Sequence, residues 1–502
     1  MSRDEIGAGA AQSSPLRPQF ASLIAAVSAV ALSACTAVAT TEPIDTGLAL
    51  PQAWSASDPA GATRTVGLAT PLAAWWRRFD DPLLVDLIDD ALRANTSIRG
   101  AVAALAQSRA LVDLQSAGIG PSLRGSASAQ RSHVGGGAGD AGNSNVFKAD
   151  FDASWEPDVF GGQRAAVSAA DADAQANVAS LGDVQVSVAA EVAFDYLQLR
   201  GLQARLAIAT ESLQSQEETL QITRWRGQAG LLTSLEIEQA RAATEQTRAQ
   251  IPLLQTAAAQ AEHSLAVLTG RAPLALHERL AAPAVMSAPS DDLVLAFPAE
   301  TLRQRPDVRA AEARVTAASQ RVTQADAARY PSFQLSGSLG LSALTLGSLT
   351  SGSAVVAAIL GSVSAPIFDG GAARAQVRAQ QAALQQAGTA YDAAVLAALK
   401  DVEDSLVALR NDRERLQILV AAADAAQNAA LLARQRYSSG LIDFQIVLET
   451  QRTALSTQDG LASTTADLHA DHVRLYKALG GGWEPSGLTS HATAGRPSSS
   501  TP

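Results

Sequence analysis

The chain has 502 residues, a net charge of −11 and an aromatic content of only 4%. The acidic balance excludes a nucleic-acid partner, whose phosphates have to be met by lysine and arginine. So few aromatic side chains argue against one compact enzyme core, and the wealth of Ala, Leu, Gln and Arg favours helices.

The first element in chain order is an address. Arg3 and Arg17 precede an apolar run over 20–31 that is too short to span a bilayer as a helix. The run ends in Leu32-Ser33-Ala34-Cys35, which reads as a secretory signal. It resembles the lipobox of bacterial lipoproteins. That resemblance implies a signal peptide over 1–34, cleavage before Cys35, and diacylglycerol and palmitate on Cys35 as the only non-protein groups. Thr36, where an Asp would imply inner-membrane retention, favours the outer membrane. An ordinary signal peptide with a chance cysteine is the plainer alternative. Cys35 is the sole cysteine, so no disulfide forms. Past the signal no uncharged apolar stretch reaches 18 residues, so strands have to make any membrane crossing.

Next comes an N-terminal extended segment over 35–81, and then a repeat: the sequence aligns with itself at an offset of 210. Ala91-Leu92-Arg93 meets Thr301-Leu302-Arg303, and Pro121-Ser122-Leu123 meets Pro331-Ser332-Phe333. Arg224, Arg226, Gly230 and Leu231 meet Arg434, Arg436, Gly440 and Leu441. Copy one (82–270) reads as a helix over 82–118, strands over 121–130 and 146–156, a long helix over 163–226, a turn at 228–230 and a last helix. A linker over 271–299 follows. Copy two (300–480) reads as helices over 300–329, 372–437 and 441–479 with strands over 332–342 and 355–367. A disordered tail over 481–502 is expected. At 1.5 Å per residue each long helix reaches roughly 95–100 Å, too long for one compact core. Val395, Val402, Leu409 and Leu416 recur every seven residues, the spacing of coiled-coil contacts.

The second strand alternates strictly. Phe147, Ala149, Phe151, Ala153 and Trp155 point one way, and Lys148, Asp150, Asp152, Ser154 and Glu156 the other. Charges on one face suit a water-filled lumen, and about ten residues span a membrane as a tilted strand. A soluble hairpin alternates in the same way. Four strands cannot close a barrel in lipid, so closure needs several chains; three would supply twelve strands.

Trp75-Trp76-Arg77-Arg78-Phe79-Asp80-Asp81-Pro82-Leu83, Arg305-Pro306-Asp307-Val308-Arg309, Tyr330-Pro331-Ser332, Pro366-Ile367-Phe368-Asp369-Gly370-Gly371 and Tyr437-Ser438-Ser439-Gly440 occur in that order. In them the chain resembles the outer membrane factor family, in particular its NodT/OprM-type lipoprotein branch, over about 54–482. The resemblance implies a mixed α and β membrane protein. It would be a homotrimer with a twelve-stranded outer-membrane β-barrel above a periplasmic α-barrel of coiled-coil-like helices. The implied function is passive: the exit duct of a tripartite efflux system for small molecules or drugs. Its partners would be a periplasmic adaptor, an inner-membrane RND-type transporter and outer-membrane lipid. A type I protein secretion outlet and a non-conducting structural coiled-coil lipoprotein are the alternatives.

The turns at Gly230 and Gly440 lie farthest from the strands and should form the periplasmic tip. Leu231-Leu232 and Leu441-Ile442 would be adaptor-docking contacts; local packing inside each hairpin is the alternative. The resemblance also implies a gate. The family's inner acid falls on Glu449, whereas the outer one falls on Ile446, a departure that puts a second acidic ring in doubt. Asp443 could supply another charge. The family's tip tyrosine falls on Tyr437 and its acid partner on Glu236. No catalytic constellation or nucleotide-binding loop is found, so no enzyme is expected. His469, His472 and nearby Asp467 have a weak metal-like spacing, but solvated polar residues on a helix face are the preferred reading.

Overall fold

The computed structural model describes residues 54, 72–134, 142–284 and 302–484, all within a unit spanning 46–502. Cys35, the signal segment and the C-terminal tail beyond residue 484 lie outside the described residues.

Copy one contains α1 (Pro82–Ala94), α2 (Thr96–Ala117), β1 (Ser122–Val134), β2 (Gly142–Trp155), α3 (Gly162–Gln228), α4 (Ser234–Leu268) and the short α5 (His277–Leu280). Copy two contains α6 (Pro306–Ala327), β3 (Ser332–Ala343), β4 (Val355–Ser364), α7 (Ala372–Ser438) and α8 (Phe444–Ala478). Shifted by 210, α2, α3 and α4 coincide end to end with α6, α7 and α8. Each long helix has 67 residues, which makes it about 100 Å long.

The expected single helix over 82–118 is two helices. Asn95 leaves the helical region with ψ of 135°, and its side-chain oxygen accepts from the Ser97 and Ile98 amides at 2.8 and 3.3 Å. An asparagine that satisfies the orphan amides of a new first turn restarts a helix. Its amide nitrogen also donates to the Leu268 carbonyl at 2.9 Å, which ties the break to the end of α4. In copy two the equivalent break falls at Arg305, before Pro306, where proline disfavours a helical predecessor.

The main core gathers around the tryptophan motif. Trp75 stacks on Tyr476 at 5.3 Å, and Phe79 packs edge-on to both. Asp81 caps α1 through the Leu83 and Leu84 amides, while its other oxygen accepts from the Tyr196 hydroxyl at 2.5 Å. That carboxylate therefore starts a helix and fastens it to α3 together. Burial, then the Asp81 bond, pushes the Tyr196 phenol up to about 12.

The four strands form one antiparallel sheet in the order β1-β2-β3-β4. β1 and β4 are its two edges. Val395, Val402 and Leu409 are buried along α7 as the seven-residue spacing requires. Apart from that seam and a few positions toward its end, Ala423, Ala426, Ala433 and Tyr437, α7 is little buried. It contains an apolar stretch of 18 residues that is almost wholly unburied.

Candidate functional site

Two regions carry the residues with functional potential, the sheet and the turns that close the two helical hairpins. In the sheet, the register sets Ser126, Asp150 and Gly340 side by side, and likewise Arg124, Asp152 and Ser338. Lys148 faces Ser128 and Ser342. Because neighbours in register share a face, Lys148, Asp150 and Asp152 lie on one polar face with small hydroxyl residues around them. Gly340 is needed there: a Cβ would meet the Asp150 carboxylate at 2.1 Å and the Ala149 carbonyl at 2.6 Å. The other face joins Leu123, Phe151, Leu339 and Ile359, all exposed.

Two features depart from the expected pattern. Glu156 is not on the strand face: β2 ends at Trp155. Pro157 cannot donate to a ladder, and Trp155 donates its indole N–H to the Ile119 carbonyl at 3.0 Å. Glu156 instead lines a 690 Å³ cleft at the junction of sheet and helices with Phe160, Gln163 and Tyr330. The second departure is β4, which is apolar on both faces. Val356, Ala358 and Leu360 pair with Gly340, Ser338 and Ser336 of the polar face.

At the far end of the hairpins, Gly230 and Gly440 have φ of +75° and +76°. The Leu231 amide donates to Arg226 O and the Gly230 amide to Gly227 O, both at 2.9 Å; Leu441 with Arg436 and Gly440 with Tyr437 repeat the pattern. These paired bonds close a helix end on a left-handed glycine, which explains glycine at both positions. The four apolar turn residues divide. Leu231 and Leu441 are 67% and 73% exposed. Leu232 and Ile442 pack against a cluster of Leu220, Tyr437, Phe444 and Val447. Trp225 and Leu235, on the flanking turns of α3 and α4, are exposed as well and were not singled out by the sequence pattern.

Tyr437 and Glu236 are not brought together. Glu236 closes a capping box with Thr233: it accepts from that residue's amide at 3.1 Å and from its hydroxyl. The Thr233 hydroxyl, first, and then backbone amides hold the Glu236 carboxyl below its usual range. A local cap one turn away outcompetes a distant phenol. Tyr437 is buried, with its hydroxyl 3.2 Å from Thr223 Oγ1. Thr223 spends its own proton on the Thr219 carbonyl, so Tyr437 is the donor. Arg226 lies over the Tyr437 ring at 4.6 Å and donates to the Tyr437 carbonyl at 2.7 Å. The seam continues through Gln451 Nε2 to Thr219 Oγ1 at 3.0 Å, Arg434 to Glu218 at 2.9 Å, and Arg205 to Asp459 at 2.7 and 3.1 Å. The back-bonded pair Thr219 and Thr223, one turn apart on α3, was the overlooked signal. Glu449, Ile446 and Asp443 are exposed near the start of α8, and Asp443 makes no side-chain capping bond.

The histidine reading also changes. His469 and His472 are buried, each ring joined through Nδ1 to the carbonyl one turn back, Thr465 at 2.6 Å and Leu468 at 2.8 Å. Those contacts make them packed core residues rather than solvated ones. Among the described residues no group of three His, Cys, Asp or Glu is arranged to hold a metal.

Comparison with known proteins gives this geometry its setting. The sequence model of the outer membrane efflux protein family matches residues 87–271 and 297–481. The chain is 32% identical over 470 residues to the pyoverdine export outer membrane protein OpmQ of Pseudomonas putida, covering 90% of this chain and 96% of that one. It is 30% identical to the toluene efflux pump outer membrane protein TtgF, also of Pseudomonas putida, over 462 residues, 91% of this chain and 95% of that one. The solved outer-membrane channel OprN superposes with a TM-score of 0.81 at 35% identity, covering 87% of this chain and 99% of its own. The chain belongs to the outer membrane efflux protein family and is an outer-membrane channel of an efflux system.

Proposed function

We propose that the chain works as a homotrimer whose twelve strands close a barrel in the outer membrane and whose long helices form the periplasmic duct beneath it. The observation that carries this is the sheet: both edges are open, and Leu123, Phe151, Leu339 and Ile359 share one face on which all four are exposed. Unpaired edges are not tolerated in hydrocarbon, so copies of the chain close the ring. The bare apolar side of α7 then finds cover on a neighbouring protomer. Cys35 carries the lipid that anchors the N-terminus.

Transport through this duct is passive, with energy supplied by an inner-membrane RND-type transporter and relayed by a periplasmic adaptor. Leu231 and Leu441 are the adaptor contacts, because they are the turn residues with no packing role inside the hairpin. Tyr437, Thr223 and Arg226 latch the copy-two hairpin to α3, and Glu449 supplies the acid ring at the opening. The latch is built from a neutral Tyr437–Thr223 hydrogen bond of about 1 kcal/mol and one charge-assisted bond from Arg226 of about 1.5–3 kcal/mol, few enough for docking to release it. The cargo is small molecules, in keeping with the pyoverdine and toluene named for the relatives.

Planar-bilayer recording of the purified protein tests the reading. Discrete conductance steps from a species of three chains are expected. A stable assembly that passes no current would leave the structural coiled-coil reading standing instead.

A further inference from the structure

The outward, apolar face of the sheet changes character at one level. Moving away from the helices, β1 presents Leu123, Gly125, Ala127 and Ala129 on that face, and β2 presents Trp155, Ala153, Phe151, Ala149 and Phe147. Beyond the Ala129–Phe147 pair the same face carries Arg131 opposite Asn145 and His133 opposite Asn143. From Trp155 to Phe147 is about 27 Å along an antiparallel strand, or about 20 Å of height at a tilt near 45°. That is close to the apolar band of an outer-membrane barrel, about 25 Å tall. Arg131 stands about 7 Å further along the strand, where hydrocarbon gives way to headgroups.

Charge singles this position out. The Lys and Arg of the described strands are Arg124, Arg131 and Lys148. Arg124 and Lys148 share the lumen face with Asp150 and Asp152. Arg131 is thus the one formal charge on the outward face of the described strands, and β3 and β4 bear none. A cation on the lipid face is costly at mid-membrane and tolerated only near an interface. Its guanidinium has no hydrogen-bond or ion-pair partner among the described residues. The neighbouring His133 is steadied by Asn143 Oδ1 at 2.9 Å from its Nδ1, which leaves Nε2 as the free ring nitrogen.

We infer that Arg131, flanked by His133 and Asn145, binds a phosphate on a lipid headgroup of the outer leaflet. A guanidinium fork meets two phosphate oxygens at once. Free phosphate has the same headgroup chemistry, but Ala129 and Phe147 lie directly beside the cation, so a ligand with acyl chains covers both. The inference rests on the barrel reading proposed above.

Native mass spectrometry of the purified full-length protein, with bis-phosphorylated lipid A as the probe, tests it. The wild type should retain lipid A, and Arg131→Gln should retain at least roughly tenfold less, the loss of one charge-assisted contact. Arg131→Lys should fall between them, and Arg124→Gln, on the lumen face, should match the wild type. Equal retention by wild type and Arg131→Gln overturns the site, and displacement by millimolar inorganic phosphate overturns its assignment to lipid. Spin labels on Ala149→Cys and Asp150→Cys in vesicles check the barrel reading separately. The first should be relaxed by lipid-dissolved oxygen and the second by a water-soluble nickel chelate. With that pattern present, failure at Arg131 counts against the site alone; with it absent, the barrel reading falls and the site with it.

Discussion

The two long helices are the same length and occupy the same place in the two copies, yet they live in different surroundings. α3 buries twenty-five of its residues and α7 only nine. α3 is packed by α1, α2, α4, α6 and α8, whereas α7 is packed by α6 and α8. α7 leaves Leu396, Ile418, Val420, Leu431 and Leu432 exposed. Duplication copied an element; divergence then gave one copy the core and the other a surface. Helix α3 is what the chain folds around, and α7 is what it would offer to other chains in the proposed trimer.

The sharpest way to break that contrast is a charge on each helix. Val192 of α3 is fully buried, and Val192→Asp should unfold the protomer, seen as loss of helical circular dichroism. Ile418→Asp combined with Leu431→Asp should leave the helical spectrum intact and abolish the trimer in native sizing, since each apolar side chain removed from an interface costs about 1.5–3 kcal/mol. A stable trimer from the double variant would mean that α7 does not face a neighbour.

Next in size are the turns. Leu231→Asp with Leu441→Asp should abolish efflux in a susceptibility assay while sparing assembly. Unchanged resistance would remove docking from these residues.

A smaller effect separates the hairpins by pH. Asp471, on α8, is buried and bonded to Arg474, and it faces Asp412 across from α7. Burial, only partly offset by Arg474, pushes its carboxyl up to about 6 from an ordinary value near 3.8. The folded state therefore holds a proton that the unfolded state gives up. The resulting stability is complete below about 3.8 and is lost as pH rises through about 6. The wild type should melt higher at pH 5 than at pH 7.5, and Asp471→Asn should flatten that difference. An unaltered pH dependence in the variant would place the proton elsewhere.

The smallest expected effects are at the latch. Tyr437→Phe removes one hydrogen bond, worth about 1 kcal/mol, and should raise the open probability of the trimer in bilayers. Glu449→Gln should lower its preference for cations without altering assembly.

The repeat, the long helices, the alternation of β2 and the left-handed turn glycines were legible in the sequence because each follows from local spacing or a backbone demand. The helix breaks at Asn95 and Arg305 were missed because the apolar period runs on through them. Glu156 was misplaced because alternation alone does not say where a strand stops; Pro157 does. The partner of Tyr437 could not be read at all. Glu236 had a nearer use as a cap, and Thr223 is assigned only once the end of α7 is brought against α3.

β4 has a consequence for the life of the chain before it reaches the membrane. The run from Val355 to Ser364 is exposed along its whole length, lies at a sheet edge and carries neither charge nor proline. Such a segment is a template for any other extended strand it meets. If the proposed trimer forms, each protomer between secretion and ring closure races two encounters, productive pairing with its sister chains and fibrillar misassociation with anything else. Export that outruns assembly should show up first as aggregates seeded by this strand.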